Sequence, residues 1–227
     1  MRTKALLLIA AFAAAGVASS VAQVYSVNAV GYVNTTLVPG FNLISNPLDA
    51  GTGNNTVGKL LSNIQGTIPT GLRAWTFNTT TGAFASPANY VNAAVGFSPA
   101  SARDTVVVPG DGMFVHNPSA ANLTVTFVGT VMQGDLVNPL PKGFSVKSNQ
   151  VPQAGKPDSF GLQGTTGDRI YKFDKVAGTY KSPSSFVNAA VGWSPASPVI
   201  DVGEAFFMYR ATSAGTWNRS FSVNNPT

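Results

Sequence analysis

The side chains that most often carry catalysis are scarce in this chain. There is one histidine, His116, one glutamate, Glu204, eight aspartates and no cysteine. A serine triad needs a histidine beside a buried carboxylate; serines are plentiful here, but no Gly-x-Ser-x-Gly elbow singles one out. His116 aligns with Tyr209 in the second half of the chain, which fits a partly buried polar aromatic position better than a general base. One histidine without cysteine does not supply the usual zinc ligands. Asp104 with Asp111, and Asp201 with Glu204, lie close in sequence, but neither loop has the dense alternating aspartates of a calcium site. The expectation is therefore no metal, no cofactor and no catalytic residue. A carboxylate-based hydrolase would need two carboxyl groups facing across one cleft, and no such pair stands out.

Two charged types recur in both halves. Arg73 corresponds to Arg169, and Asp111 to Glu204. Structural ion pairs are expected from this, Arg73 with Asp111 and Arg169 with Glu204. The aromatics are the stronger candidates for ligand binding. Phe97 and Trp193 each sit in a Gly-aromatic-Ser-Pro loop, where a ring is either exposed to stack on a sugar or turned into the core. Trp75, Tyr90, Tyr171 and Phe186 read as core rings, because buried aromatics dominate β-sheet cores.

These residues are positioned by a duplication. Residues 86–101 read SPANYVNAAVGFSPAS and residues 182–197 read SPSSFVNAAVGWSPAS, with twelve of sixteen positions identical. The correspondence spreads outward: GFNLISN (40–46) matches GFSVKSN (143–149), GLRAWTF (71–77) matches GDRIYKF (167–173), and Gly110-Asp111 matches Gly203-Glu204. The first repeat occupies residues 23–130 and the second 131–227. The join at 129–134 is short, which favours intimate contact between the copies, as two beads or as one pseudo-twofold body.

Short alternating segments separated by Gly, Pro and Asn turns give an all-β chain, with a β-sandwich or small barrel in each copy. In the second strand Phe41, Leu43, Phe144 and Val146 are expected to face the core. Asn42, Ile44 and Asn46 share the opposite face, and Lys147 at the Ile44 position marks that face as outward. Asn78–Gly82 and Asp174–Gly178 have hairpin-turn chemistry. Thr56 caps a short helix in the first copy, with Val57, Leu60, Leu61 and Ile64 on one face. The second copy keeps one turn there, packing Phe160 and Leu162. Residues 104–108 and 198–202 read as short strands.

Arg2 and Lys4, an apolar run from Ala5 to Val17, and small residues at Ser20 and Ala22 form a signal peptide over 1–22, with cleavage before Gln23. Export follows, to the periplasm, the cell surface or the medium, with no membrane insertion after cleavage. A cysteine-free exported chain has no disulfide framework. From residue 23 the first copy carries three cations against three carboxylates, and the second nine against six. That weak excess is no clustered nucleic-acid footprint. Residues 23–30, QVYSVNAV, look strand-like and offer an edge for self-assembly.

The GFNLISNPLD opening, the GLRAWTF strand and the GDGMFV closing, GEAFFM in the second copy, resemble a group of uncharacterised secreted bacterial tandem β-repeat proteins. That resemblance implies export and a β fold, and no activity. Together these features point to a non-enzymatic exported protein with a structural, cell-surface or extracellular-matrix role, meeting its own copies or a cell-surface polymer. Carbohydrate binding by exposed aromatics is the alternative, and a hydrolase comes third.

Overall fold

The computed structural model describes residues 29–224; the expected signal peptide, 1–22, and most of the 23–30 segment lie outside the described residues. The chain is all-β, built as two tandem sandwich-like units. In the first, β1 (Val30–Leu37) pairs antiparallel with β9 (Leu123–Thr130), so the repeat's first strand closes on its last. Between them lies a five-stranded sheet. Its members are β2 (Gly40–Ser45), β3 (Arg73–Trp75), β6 (Ala88–Asn92), β7 (Gly96–Ser98) and β8 (Gly112–Asn117), in the order β2-β8-β3-β6-β7. β4 (Phe77–Asn78) and β5 (Ala83–Phe84) form a small hairpin beyond β3.

The second unit repeats the plan. β10 (Gly134–Leu140) pairs with β17 (Gly215–Phe221). The main sheet runs β11-β16-β12-β14-β15, from β11 (Gly143–Lys147), β12 (Arg169–Asp174), β14 (Ser184–Asn188), β15 (Gly192–Ser194) and β16 (Phe206–Arg210). β13 (Thr179–Tyr180) folds back on β12.

The tight turns share one chemistry. In 78–82, 92–96, 174–178 and 188–192 an Asn or Asp comes first and Gly last. The first side chain accepts two backbone N–H groups: Thr80 and Thr81 donate to Asn78, Ala94 and Val95 to Asn92, Val176 and Ala177 to Asp174, and Ala190 and Val191 to Asn188. The closing glycines have φ between 66° and 72°, which side chains with a Cβ rarely adopt. The turn at 92–96 and its twin form the centre of the most nearly identical stretch. Their Val, Asn and Ala side chains are exposed.

α1 (Val57–Leu61) begins where expected. Thr56 Oγ1 accepts the Lys59 N–H, and Val57, Leu60, Leu61 and Ile64 are all buried. In the second unit a single 3₁₀ turn, Pro157–Phe160, takes its place and Leu162 is buried behind it. Two expectations change here. Residues 104–108 and 198–202 hold single bridges, Thr56 to Val106 and Gly155 to Ile200, rather than strands. In addition, α2 (Ala100–Arg103), preceded by Pro99, adds a second short helix.

Each unit buries its own core between the main sheet and the two-stranded ribbon. In the first, Leu37, Val125 and Phe127 of the ribbon, with α1, pack on Ala74, Met113, Val115 and Phe97. In the second, Leu140 and Trp217 pack on Ile170, Phe206, Met208 and Trp193. A further core lies between the repeats: Leu43, Phe114, Val146, Phe173, Ala205 and Phe207, flanked by Trp75, Phe77 and Tyr171. The outer faces of the two main sheets are thus partly used on each other.

That third core takes up Leu43 and Val146, buried as expected, but the rest of the expected facing of β2 and β11 is overturned. Ile44, Asn42 and Asn46 are buried within the first unit, and Lys147 is buried too. Phe41 and Phe144, expected inside, are 46% and 42% exposed. Both faces of these strands are covered along part of their length, one by their own repeat and the other by the neighbouring repeat. A polar side chain on one face therefore does not mark solvent.

Candidate functional site

The junction between the repeats is reciprocal. The Ser45 N–H donates to the Gly203 carbonyl and the Ser148 N–H to the Gly110 carbonyl, both at 2.9 Å. Ser45 and Ser148 are twins, and so are Gly203 and Gly110. The same symmetry relates the bridge Ile44–Glu204 to the bridge Asp111–Lys147. The duplicated units form one pseudo-twofold body.

The twin bridges differ in charge. Lys147 Nζ lies 2.8 Å from Asp111 Oδ1 and donates to Asn138 Oδ1 at 3.2 Å. On the other side Ile44 has no charge to offer Glu204, and Lys172 pairs with that carboxylate at 2.9 Å. The expected partners are therefore replaced. Arg73 is exposed beside His116 and Asn89 in the sheet register. Arg169 donates to the Tyr171 hydroxyl at 3.5 Å, which raises its already high pKa. The reason is geometric. β3 and β12 present Arg73 and Arg169 on the sheet's outer face, whereas Asp111 and Glu204 sit at the strand ends that cross between repeats. The deepest ion pair, Arg210 with Asp168 at 2.5 Å, belongs to the second copy alone. Its counterpart at the Arg210 position is Asn117, which caps the Leu37 and Ala121 carbonyls instead.

Phe97 and Trp193 are core residues, 4% and 9% exposed. Each packs edge-to-face on the ring preceding it in its hairpin, Tyr90 at 5.2 Å and Phe186 at 5.4 Å. They close the ends of their own sandwiches and offer no stacking platform. The partly exposed rings Phe41, Trp75, Phe84 and Tyr180 lie instead around the pseudo-twofold junction, over the buried Phe114 and Phe173. Phe41, Trp75, Phe84, Phe114, Phe173 and Tyr180, with Gly178, line a groove of about 440 Å³ that draws on both repeats. Phe41 leans on Trp75 at 5.7 Å and on His116 at 4.8 Å. Phe114 meets Phe173 edge-on at 5.0 Å, and Tyr180 meets Phe173 at 5.3 Å. The twin array Phe144, Tyr171 and Tyr209 continues the aromatic surface on the other side, with Phe144–Tyr209 at 4.8 Å. Partial burial pushes the Tyr180 hydroxyl up to about 12; like any phenol it is protonated at neutral pH and is available as a hydrogen-bond donor.

The sequence carried a signal for this groove. Arg73-x-Trp75-x-Phe77 and Arg169-x-Tyr171-x-Phe173 put a cation and two rings on one face in both copies. What was missing was the partner repeat that turns those faces into a groove. Among the described residues no group of three or more His, Cys, Asp or Glu is placed to hold a metal ion, and no helix is long and apolar enough to cross a membrane. Compared with protein-family models, with curated proteins and with solved structures, the chain matches none.

Proposed function

We propose that this is an exported, non-enzymatic protein of the cell surface or extracellular matrix, which works by holding a partner polymer in its inter-repeat aromatic groove. The observation that carries the reading is the groove itself: six rings from two repeats, in a wall whose side-chain polar groups are the Tyr180 hydroxyl and the Trp75 indole N–H. Such a surface binds by shape and burial and has no acid–base machinery. Several carboxylates outside it are engaged structurally. Asp111 and Glu204 hold lysines, Asp168 holds Arg210 and Asp174 organises a turn.

A polysaccharide is the second, narrower reading, favoured by the arrangement of Phe41, Trp75 and Tyr180. Offset, partly exposed rings suit the C–H face of a pyranose, and a protonated phenol supplies a hydrogen bond at the rim. The site is the groove in place of Phe97 and Trp193.

Residues 23–227 are to be incubated with washed cell envelopes and with insoluble cellulose, chitin and peptidoglycan. Retention on envelopes that falls at least tenfold in Trp75→Ala and Tyr180→Ala supports the adhesive reading. Retention on one purified polysaccharide with the same dependence supports the narrower one. Retention on none of these materials removes both. Trp193→Ala serves as the contrast: it should lower stability by about 3–5 kcal/mol, and where the variant remains folded it should leave retention unchanged.

A further inference from the structure

The pseudo-twofold relates two more clefts between the repeats, and they have diverged. One, of about 870 Å³, lies between Thr76, Thr79, Thr105 and Asp111 of the first repeat and Asn138 and Lys147 of the second. Its mate, lined by Thr35, Ile44, Lys175 and Glu204 among others, is about 170 Å³. The difference traces to one hairpin. Thr76, Thr79 and Ala85 in the first repeat correspond to Lys172, Lys175 and Lys181 in the second. Lys172 pairs at 2.9 Å with Glu204, which lines the small cleft, and donates to the Val199 carbonyl at 2.6 Å. Lys175 Nζ reaches across the junction to the Thr36 carbonyl at 3.0 Å. The twin hairpin has only short side chains at these positions, so the larger cleft stays open.

We propose that the open cleft is a binding site for a neutral, hydroxyl-rich small molecule, a sugar unit being the chemical class. Its lining holds two charged residues, Lys147 and Asp111, and they neutralise each other. The cleft therefore has no net charge to recruit an ion. Lys147 occupies one oxygen of Asp111, whose side chain is 38% exposed; a carboxylate has further lone pairs to offer a ligand hydroxyl. Thr76 and Thr79 supply hydroxyls that both donate and accept, and Thr105, whose proton goes to the Ser101 carbonyl, supplies an acceptor. Phe77, Val106 and Leu140 supply apolar wall for C–H faces. The volume lies within the range of small-molecule pockets. The cleft shares no lining residue with the aromatic groove, and the inference does not depend on what that groove holds.

The test is a ¹H–¹⁵N NMR titration of residues 23–227 with cellobiose, maltose and N,N′-diacetylchitobiose. Saturable shifts at the Thr79, Val106 and Gln150 amides with at least one sugar are expected. The double variant Thr79→Lys/Ala85→Lys installs the lysines of the twin hairpin at exposed positions, where they burden the fold little. It should weaken binding at least tenfold. Thr80→Lys, outside the lining, adds charge alone and should leave binding intact, as should Trp75→Ala in the groove. No shift at the cleft with any of the three sugars overturns the proposal. So does binding that survives the double lysine variant but is lost in Trp75→Ala, which would assign the sugar to the groove.

Discussion

Gly112 and Ala205 are the same position in the two repeats, and they pack against each other across the pseudo-twofold junction. A methyl group built on Gly112 would lie 2.5 Å from the Ala205 Cβ, 2.7 Å from the Ile44 carbonyl oxygen and 2.9 Å from Val146. There is room for one methyl group between the twins and not for two. The second-copy alanine is thus complementary to the first-copy glycine, and the two copies have become distinct at their point of closest approach.

Gly112→Ala should therefore destabilise the protein by about 1–3 kcal/mol, the usual cost of overpacking, read as a lower midpoint in urea unfolding. Exchanging the methyl, Gly112→Ala with Ala205→Gly, should recover part of that loss. An unchanged midpoint in the single variant would mean the repeats are not held this closely.

The Lys147–Asp111 pair predicts an asymmetric response. The Lys147 side chain is 8% exposed and that of Asp111 is 38% exposed. Removing the carboxylate strands a buried ammonium, whereas removing the ammonium leaves a carboxylate that water can reach. Asp111→Ala should cost about 2–3 kcal/mol. Lys147→Ile, which installs the residue of its twin Ile44, should cost under about 1 kcal/mol, because a buried ion pair is often replaceable by apolar packing. Equal costs in urea unfolding would overturn this ordering.

Tyr180 predicts an alkaline limit. Its pKa in the folded chain is raised by burial to about 12, against 10.0 for an unperturbed phenol. Between these values the folded state holds a proton that the unfolded state has lost. The contribution is complete below pH 10 and disappears as pH rises through 12. Stability should accordingly fall over that window, and Tyr180→Phe, which restores the residue of its twin Phe84, should flatten this part of the profile. Ultraviolet titration of phenolate should find Tyr180 ionising late. Titration of Tyr180 near pH 10 together with an unaltered profile in Tyr180→Phe would contradict the partial burial of this hydroxyl at the junction.

Local chemistry is legible where a cap or a turn contains its own cause, though not at 104–108, 198–202 or Ala100–Arg103. Thr56 and the 57, 60, 61, 64 spacing define α1. Asn78 with Gly82, and Asp174 with Gly178, define two hairpins, because a side-chain acceptor and a left-handed glycine suffice for the turn. Facing was read less well. Alternation along β2 and β11 separates two faces, yet whether the second is covered depends on residues of the other repeat, thirty-six positions away for Lys147 and Asp111. Lys147 looked like a solvent marker until Asp111 of the other repeat was found beside it. Phe97 and Trp193 looked equally placed for display or burial, and the fold buries both.

The duplication, the β character of both copies, their turn chemistry and the thin stock of catalytic side chains all follow from residue type and short-range spacing. The groove, the two unequal clefts and the Lys147–Asp111 pair do not. They arise where surfaces distant in sequence meet around a pseudo-twofold axis, and each depends on a small mismatch between twins: Gly112 with Ala205, Lys147 with Ile44, Thr79 with Lys175. Local propensity acts on each copy separately. Only packing the copies together decides which of two corresponding side chains is buried, which is paired and which is left exposed.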